Sequence, residues 1–412
     1  MAGPETPQAE AAWRSRVVAA AGVSHRSWNA TRAARAGGWS RALAGGLLAY
    51  TPGPDGPGGL QVLFTAPAQA AAAAAEVLAK AARLGGLREI GWWAADADQN
   101  GDVAPRLLAR GFQWGWQPHW MGLDAAAGTS EVPAPPGIAI RDAGPRDAPP
   151  CTAVLTALEG EAEVGRVTLH ACADPGGGAP LGGIYDCAVV PRARRRGIGT
   201  ALSAAAVARA RAWGCGLVTL NATAAGQPVY RRVGFRSAGW GQTWWMLRHQ
   251  LEAPPPSAVA VRLVEAIGRD DLPALDEAVA AAGAPGLDAT LTCGLTPLGV
   301  AVLLGCAAAA DRLVALGAFL DVVSAWDLGW RDRAAALLAA RPELANHGAG
   351  DHGATPLHTA VERDDEALAR LVLSAHPDLT LQDRTFGSDA LGWAAHFQRE
   401  HLAALIRAAG AP

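Results

Sequence analysis

Lysine is almost missing from this 412-residue chain, where Lys80 stands alone against 34 arginines. That bias reflects a GC-rich coding sequence and excludes no function. The six cysteines (Cys151, Cys172, Cys187, Cys215, Cys293, Cys306) never fall in C-x-x-C spacing. Neither a zinc site nor a disulfide framework is therefore expected, and a reduced, cytoplasmic setting is. The opening stretch MAGPETPQAEAAW lacks a basic region followed by an apolar one, so no secretory signal is expected. Charged residues make up only 18% of the chain, but hydrophobic ones make up 50%, which excludes a wholly disordered polymer. The uncharged run Ala289–Ala310 is long enough to span a bilayer. Gly294, Thr296, Pro297, Gly299 and Gly305 interrupt it, and it lies inside a repeat, so no membrane association is expected.

The length suits two to four domains of ~100–200 residues each. Charge is unevenly spread: residues 1–250 hold 24 basic and 17 acidic side chains, residues 251–412 hold 11 and 21. The front part is the one suited to an anionic ligand. Two proline-rich spacers, Ser130–Gly137 and Glu252–Ser257, divide the chain into 1–130, 137–250 and 257–412.

The first two blocks carry one pattern twice. In the first, LQVLFTA (60–66) precedes Pro67 and an alanine-rich helix over 68–84; REIGWWAA (88–95), a short helix near 102–109 and Gly111-Phe112 follow. In the second, GGIYDCAVV (182–190) precedes Pro191 and a helix from about Gly199; GLVTLNAT (216–223), a short helix ending near Arg232 and Gly234-Phe235 follow. The two prolines are 124 residues apart and the Gly-Phe pairs 123, so the offset holds throughout. Chance likeness between alanine-rich segments is the other reading. The third block repeats too. Thr296-Pro-Leu-Gly and Thr355-Pro-Leu-His recur, and Ser388-Asp-Ala-Leu-Gly follows the latter at a spacing of 33. This resembles the ankyrin repeat over about 263–410, with the stretches 263–285 and 325–350 the poorest matches.

The chemistry concentrates after the strand Ile184–Val190, in Pro191-Arg-Ala-Arg194-Arg195-Arg196-Gly197-Ile198-Gly199-Thr200. Glycines let backbone N–H groups turn outward, a helix N-terminus adds partial positive charge, and arginines reinforce an anion site sized for a pyrophosphate. Leu202 stands where a dinucleotide fingerprint needs its third glycine, and no Gly-Lys-Ser/Thr follows, which excludes a P-loop. A glycine pair alone also fits simple tight-turn packing.

Arg194-x-x-Gly197-x-Gly199 resembles the R/Q-x-x-G-x-G/A coenzyme A motif of the GNAT acyltransferase family. Gly226-Gln-Pro-Val-Tyr230-Arg-Arg-Val-Gly234-Phe235 resembles that family's tyrosine-bearing helix ending in Gly-Phe. The resemblance implies an α/β tandem GNAT fold, followed by an all-α ankyrin-repeat solenoid. The first block would be a copy without a coenzyme site, since Pro67-Ala-Gln-Ala-Ala-Ala-Ala holds neither arginine nor glycine. In the second, the backbone at Val189 and Val190 would hold the pantetheine arm and acetyl carbonyl. The stretch Arg194–Thr200 (Arg194, Arg195, Arg196, Gly197, Ile198, Gly199, Thr200) would hold the pyrophosphate of acetyl-CoA as co-substrate. Tyr230 would donate the last proton, with a packing tyrosine as the alternative. Asp186 is a candidate base, with a solvent-facing aspartate as the alternative. The second block also looks short between Ile140 and Val164, where the family carries two helices that shape the acceptor pocket, and the first block is a candidate to complete it.

Glu159 and Glu161, with Glu163, form an alternating acidic patch suited to a cationic amine, or else a solvated loop. Of the 15 tryptophans, Trp116 and Trp240 are candidates for walling a bulky acceptor, the alternative being an interface between the two blocks. His347, His352 and His358 with Asp351 are not expected to bind metal, because His358 belongs to the repeat consensus. The expected activity is N-acetylation of a small-molecule amine, an antibiotic among the possibilities. A protein amine recruited by the ankyrin repeats, or a non-catalytic scaffold, are the alternatives. Nucleic acid is not an expected partner, because phosphate recognition already accounts for the arginine run.

Overall fold

A computed structural model describes residues 6–54, 56–95, 100–126, 132–142, 151–350 and 352–410. The chain forms two compact units, Met1–Pro256 and Ser257–Pro412, which part within the second proline-rich spacer.

The first unit opens with a long helix, α1 (Pro7–Arg35), started by Thr6, whose hydroxyl accepts from the Ala9 N–H, and by Pro7 in the first turn. Strands β1 (Trp39–Leu43), β2 (Gly46–Thr51) and β3 (Gly59–Leu63) follow, then α2 (Ala70–Leu84), β4 (Glu89–Ala94), α3 (Asn100–Leu108), β5 (Gln113–Trp114) and β6 (His119–Asp124). The second block continues with β7 (Ile138–Asp142), β8 (Cys151–Glu159), β9 (Ala162–Cys172), β10 (Leu181–Val189), α4 (Ile198–Ala212), β11 (Leu217–Ala222), α5 (Gln227–Val233), β12 (Arg236–Trp240), β13 (Gln242–Leu247) and the short α6 (Arg248–Glu252). Residues 143–150, within the stretch expected to be short, and Ser130 and Glu131 of the first spacer lie outside the described residues.

Each block builds a sheet, but the last strands trade places. One sheet runs β1-β2-β3-β4-β13-β5 and the other β12-β6-β11-β10-β9-β8-β7. Strand β13, from the second block, pairs antiparallel with β4 of the first, from Gln242 opposite Ala94 to Leu247 opposite Glu89. Strand β6 reciprocates between β11 and β12. The division at 130–137 thus separates the blocks in sequence, while residues 1–256 pack as one unit in space.

Helix α1 lies against strands of both sheets, β2 in one and β10, β11 and β12 in the other. Its buried stripe, Val17, Ala20, Ala21, Ser24, His25 and Asn29, follows i, i+3, i+4 spacing. Two glycines admit it: a Cβ on Gly122 would sit 2.5 Å from Val17, and one on Gly183 would sit 2.2 Å from the Ser24 hydroxyl. Trp92, Trp120 and Trp244 are fully buried in the two sheets.

The second unit is made of helix pairs. They are α7 (Ala258–Gly268) with α8 (Leu272–Ala282), α9 (Pro297–Leu304) with α10 (Ala307–Ala315), α11 (Val322–Asp327) with α12 (Arg331–Ala340), α13 (Pro356–Arg363) with α14 (Glu366–Leu373), and α15 (Ala390–His396) with α16 (Glu400–Ala409). The first helix of each pair packs on the first helix of the next. Ser257, Asp271, Thr296, Asp321, Thr355, Asp365 and Asp389 each cap a helix through a side-chain oxygen. The uncharged run 289–310 breaks into a turn, α9 and the start of α10, and none of the described helices is long and apolar enough to cross a membrane.

Candidate active site

The site begins where two parallel strands part. Strands β10 and β11 pair only from Leu181 opposite Leu217 to Ile184 opposite Leu220. On its other edge β10 slips register against β9 between Tyr185 and Ala188, so Asp186 and Cys187 fall outside both ladders. Asp186 sits at φ 50°, a bulge that bends the strand away from its neighbour. A groove of about 810 Å³ opens beyond the bulge.

The groove ends on the N-terminus of α4. Arg195 (φ 66°) and Gly197 (φ 83°) are left-handed, which turns the loop's backbone outward before the helix starts at Ile198. No side chain caps this helix, and its first intrahelical bond is from the Ala201 N–H to the Gly197 carbonyl at 3.1 Å. The N–H groups of Ile198, Gly199 and Thr200 therefore precede the helix's own ladder, as an anion site requires.

Of the residues expected to hold the coenzyme, Val189, Arg194, Arg195, Gly197, Ile198, Gly199 and Thr200 line this groove. Val190 and Arg196 do not. The Val190 N–H donates into the sheet, to the Val164 carbonyl at 3.0 Å. Arg196 donates to Glu159 at 2.8 Å, with Arg192 on the same carboxylate at 3.3 Å. Arg194 Nε donates to the Val189 carbonyl at 3.1 Å, which ties the loop to the strand.

A second cavity, about 430 Å³, lies beyond the bulge. The second block lines it with Tyr185, Asp186, Cys187, Asn221 and Tyr230, and the first block with His25, Trp28, Arg32, Glu89 and Trp93. Its walls are fixed. Trp28 stacks on Tyr185 at 5.1 Å, the Tyr185 hydroxyl bonds Ser24 at 2.9 Å, and the Trp93 indole donates to Gln61 at 2.8 Å. Burial, and then Arg32, hold the His25 imidazole down to about 3, so it is neutral at pH 7.

Cys187, Thr223, Gly226 and Tyr230 line both spaces. Tyr230, 8% exposed on α5, lines the junction with Cys187, whose thiol faces the Ser203 hydroxyl at 4.0 Å. Burial raises the Tyr230 hydroxyl far above the usual phenol range and the Cys187 thiol above its own. Both keep their protons at neutral pH.

Glu159, Glu161, Trp116 and Trp240, expected at the acceptor, line neither of these two spaces. Glu159 is spent on Arg192 and Arg196, whose guanidiniums hold its carboxyl below the usual range. Glu161 is exposed in the β8–β9 turn. Trp240 stacks on His119 at 4.2 Å, and Trp116 packs edge-on behind Trp93 at 5.6 Å. Sequence reasoning missed His25, Trp28, Asn29, Arg32 and Glu89. The signal was present in α1, where His25, Asn29 and Arg32 continue the apolar spacing that begins at Val17.

His358 of the expected histidine group is held by Thr355 at 2.8 Å and the Ser388 carbonyl at 3.0 Å, and Asp351 lies outside the described residues. Among the described residues no group of three or more His, Cys, Asp or Glu could hold a metal ion.

Residues 118–235 match the acetyltransferase (GNAT) family. That stretch is a GNAT acetyltransferase domain, and the chain carrying it is an N-acetyltransferase. Among curated protein sequences none matches. Similar solved structures include a GCN5-related N-acetyltransferase from Kribbella flavida, 13% identical, covering 55% of this chain and 95% of that one, TM-score 0.42. Others are a tandem GNAT protein from the clavulanic acid biosynthesis pathway (16% identical, 49% of this chain and 78% of that one, TM-score 0.36) and a GCN5-related N-acetyltransferase from Sphaerobacter thermophilus (13%, 49% and 76%, TM-score 0.34).

Proposed function

We propose that this protein transfers an acetyl group from acetyl-CoA to the amine of a small molecule seated in the 430 Å³ cavity. The observation that carries the reading is the junction itself: a groove ending on an uncapped helix N-terminus meets a separate aromatic cavity at Cys187 and Tyr230. Acetyl-CoA supplies the acetyl group as a thioester. Its phosphates suit the amides of Ile198–Thr200 and the guanidiniums of Arg194 and Arg195. The backbone of Asp186 and Cys187, outside both ladders, is where fixed donors would meet the carbonyl oxygen. Tyr230 holds its proton at neutral pH and stands at the junction, placed to deliver it to the departing sulfur.

The acceptor would enter between Trp28 and Trp93. Asp186 and Glu89 bring carboxylates to the cavity, Glu89 sharing its charge with Arg88 at 2.9 Å and Arg32 lining the same space, and Asp186 is the candidate to take the ammonium's proton. The constant sequence offset and the matched strand order support two diverged copies, of which the first lacks a coenzyme site. There β3 and β4 stay paired to Leu63 and Trp93, and the Phe64 N–H donates to the Trp93 carbonyl at 2.9 Å. The helix pairs of the second unit, with Thr-Pro-Leu at the start of α9 and α13, support ankyrin-type repeats.

The test is thiol release from acetyl-CoA across a panel of small amines, antibiotics included, with full-length chain and with Ser257–Pro412 deleted. Turnover of a small amine by both chains is expected. Thiol release only with protein amines, lost on the deletion, would move the acceptor to the protein class.

A further inference from the structure

The second unit carries an aromatic recess of its own, about 380 Å³, lined by Phe386, Trp393, Phe397, His352, His396 and Glu362. Its rings stand at steep angles. Phe386 and Trp393 meet at 6.4 Å and 68°, Trp393 and Phe397 at 5.9 Å and 63°. His352 backs Phe386 at 5.8 Å, nearly parallel.

One buried carboxylate sets this arrangement. Asp383, 3% exposed, accepts from the backbone N–H groups of Thr385 (2.8 Å), Phe386 (2.6 Å) and Ser388 (3.1 Å), and from the Trp393 indole (3.0 Å). Burial pushes its carboxyl up, but these donors outweigh that and hold it down at about 2. The His352 ring is pinned in turn by Thr385 at 2.7 Å. The backbone beneath Phe386 is thus fixed, yet its ring is 69% exposed, and Phe397 is 37% exposed. Packing does not account for an anchored phenylalanine held in water.

We propose that this recess binds an N-methylated ammonium group. Ring faces attract a cation through their quadrupole, and Glu362 supplies the opposite charge. The surrounding unit is acidic, with 11 basic against 20 acidic side chains over 257–412. A methylated ammonium fits better than a primary one. The recess is mostly apolar, and a weakly hydrated cation loses less on leaving water than a strongly hydrated one. The head group can be carried by a free small molecule or by a side chain of a partner protein.

Calorimetry on the full chain separates these cases, with choline, its uncharged carbon isostere 3,3-dimethylbutanol, and a trimethyllysine peptide as probes. Choline is expected to bind about tenfold more tightly than the isostere, a gap that cation–π attraction alone can supply. Phe386→Leu, which keeps apolar bulk on an exposed position but removes the ring, should erase that preference with an unchanged melting temperature. A peptide that binds more tightly than choline assigns the head group to a protein, and the reverse order assigns it to a small ligand. Equal binding of choline and isostere, no binding of either cation, or full choline affinity in Phe386→Leu overturns the proposal.

Discussion

Gly197 and Gly199 stand two residues apart at the same turn, and the structure gives them different jobs. Gly197 is left-handed at φ 83°, a conformation that a side chain disfavours by ~1–2 kcal/mol. Space is not the obstacle, because a Cβ there would meet only Pro135, at 3.7 Å. Gly199 lies in the helix, and a Cβ there would make ordinary contacts with Val229 at 3.7 Å and Val189 at 3.8 Å. Gly197→Ala should therefore pull the loop toward a right-handed backbone and turn the outward amides away. If the whole strain appears as a smaller competent population, coenzyme affinity falls by roughly 5- to 30-fold. Gly199→Ala should fold as well as wild type or better, since alanine exceeds glycine in a helix by ~1 kcal/mol, and should retain most of the affinity. Calorimetric titration with acetyl-CoA, paired with thermal unfolding of each variant, reads both quantities. Wild-type affinity in Gly197→Ala would refute the assignment of this turn to the pyrophosphate.

Tyr230→Phe should lower kcat by ~10²–10⁴ while leaving acetyl-CoA affinity within a few-fold, and an undiminished kcat in single-turnover assays would remove the proton-donor role. Glu89→Gln should raise the acceptor KM by roughly tenfold or more with unchanged coenzyme affinity, if a charge-assisted hydrogen bond is lost; an unmoved KM would exclude Glu89 from ammonium binding. His25 and His170 are held neutral, at about 3 and about 4, by burial first and by Arg32 and Arg35 second. The unfolded chain takes up these protons near 6.5 and the folded chain does not, so this stability is complete above that pH and is lost as pH falls toward 4. The slope is at most ~1.4 kcal/mol per pH unit for each histidine, and denaturant melts at pH 7, 5.5 and 4.5 should show it, whereas a flat profile would contradict it. A fragment 137–256 lacks β6, which lies between β11 and β12, so it should fail to fold cooperatively; a sharp two-state melt would count against the strand exchange.

The glycine turn was legible because its chemistry is local. Arg194, Gly197 and Gly199 lie within six residues, and strand, turn and helix follow one another in sequence. The tyrosine helix was legible for the same reason. The 430 Å³ cavity was not, because it is assembled from residues more than 150 positions apart: Trp28 meets Tyr185, and Ser24 meets the same hydroxyl. Glu159 looked free in sequence, but a hairpin between Glu159 and Ala162 brings it to the arginines of the loop. Trp116 and Trp240 pack on Trp93 and His119 and line neither space, a placement that composition does not specify. Aromatic abundance foretold aromatic walls, and the exchange of β6 and β13 decided which rings face the cavity.

That exchange also accounts for keeping a block whose own groove is shut. In the first block β3 and β4 remain paired past the level at which β10 and β11 part, so no cleft opens between them. The closed strand end is not idle, because Trp93, held by Gln61, forms a wall of the neighbouring cavity. Helix α1 is committed in the same way: Val17 presses on Gly122, and Ser24 reaches over Gly183 to Tyr185. Removing the first block would take away one wall of that cavity and split the second sheet at β6 in one step. The first block supplies β6 to the second sheet and α1 to both sheets, so neither can be removed without loss of packing. Gly122, Trp93 and the buried stripe of α1 are the residues on which that shared packing turns.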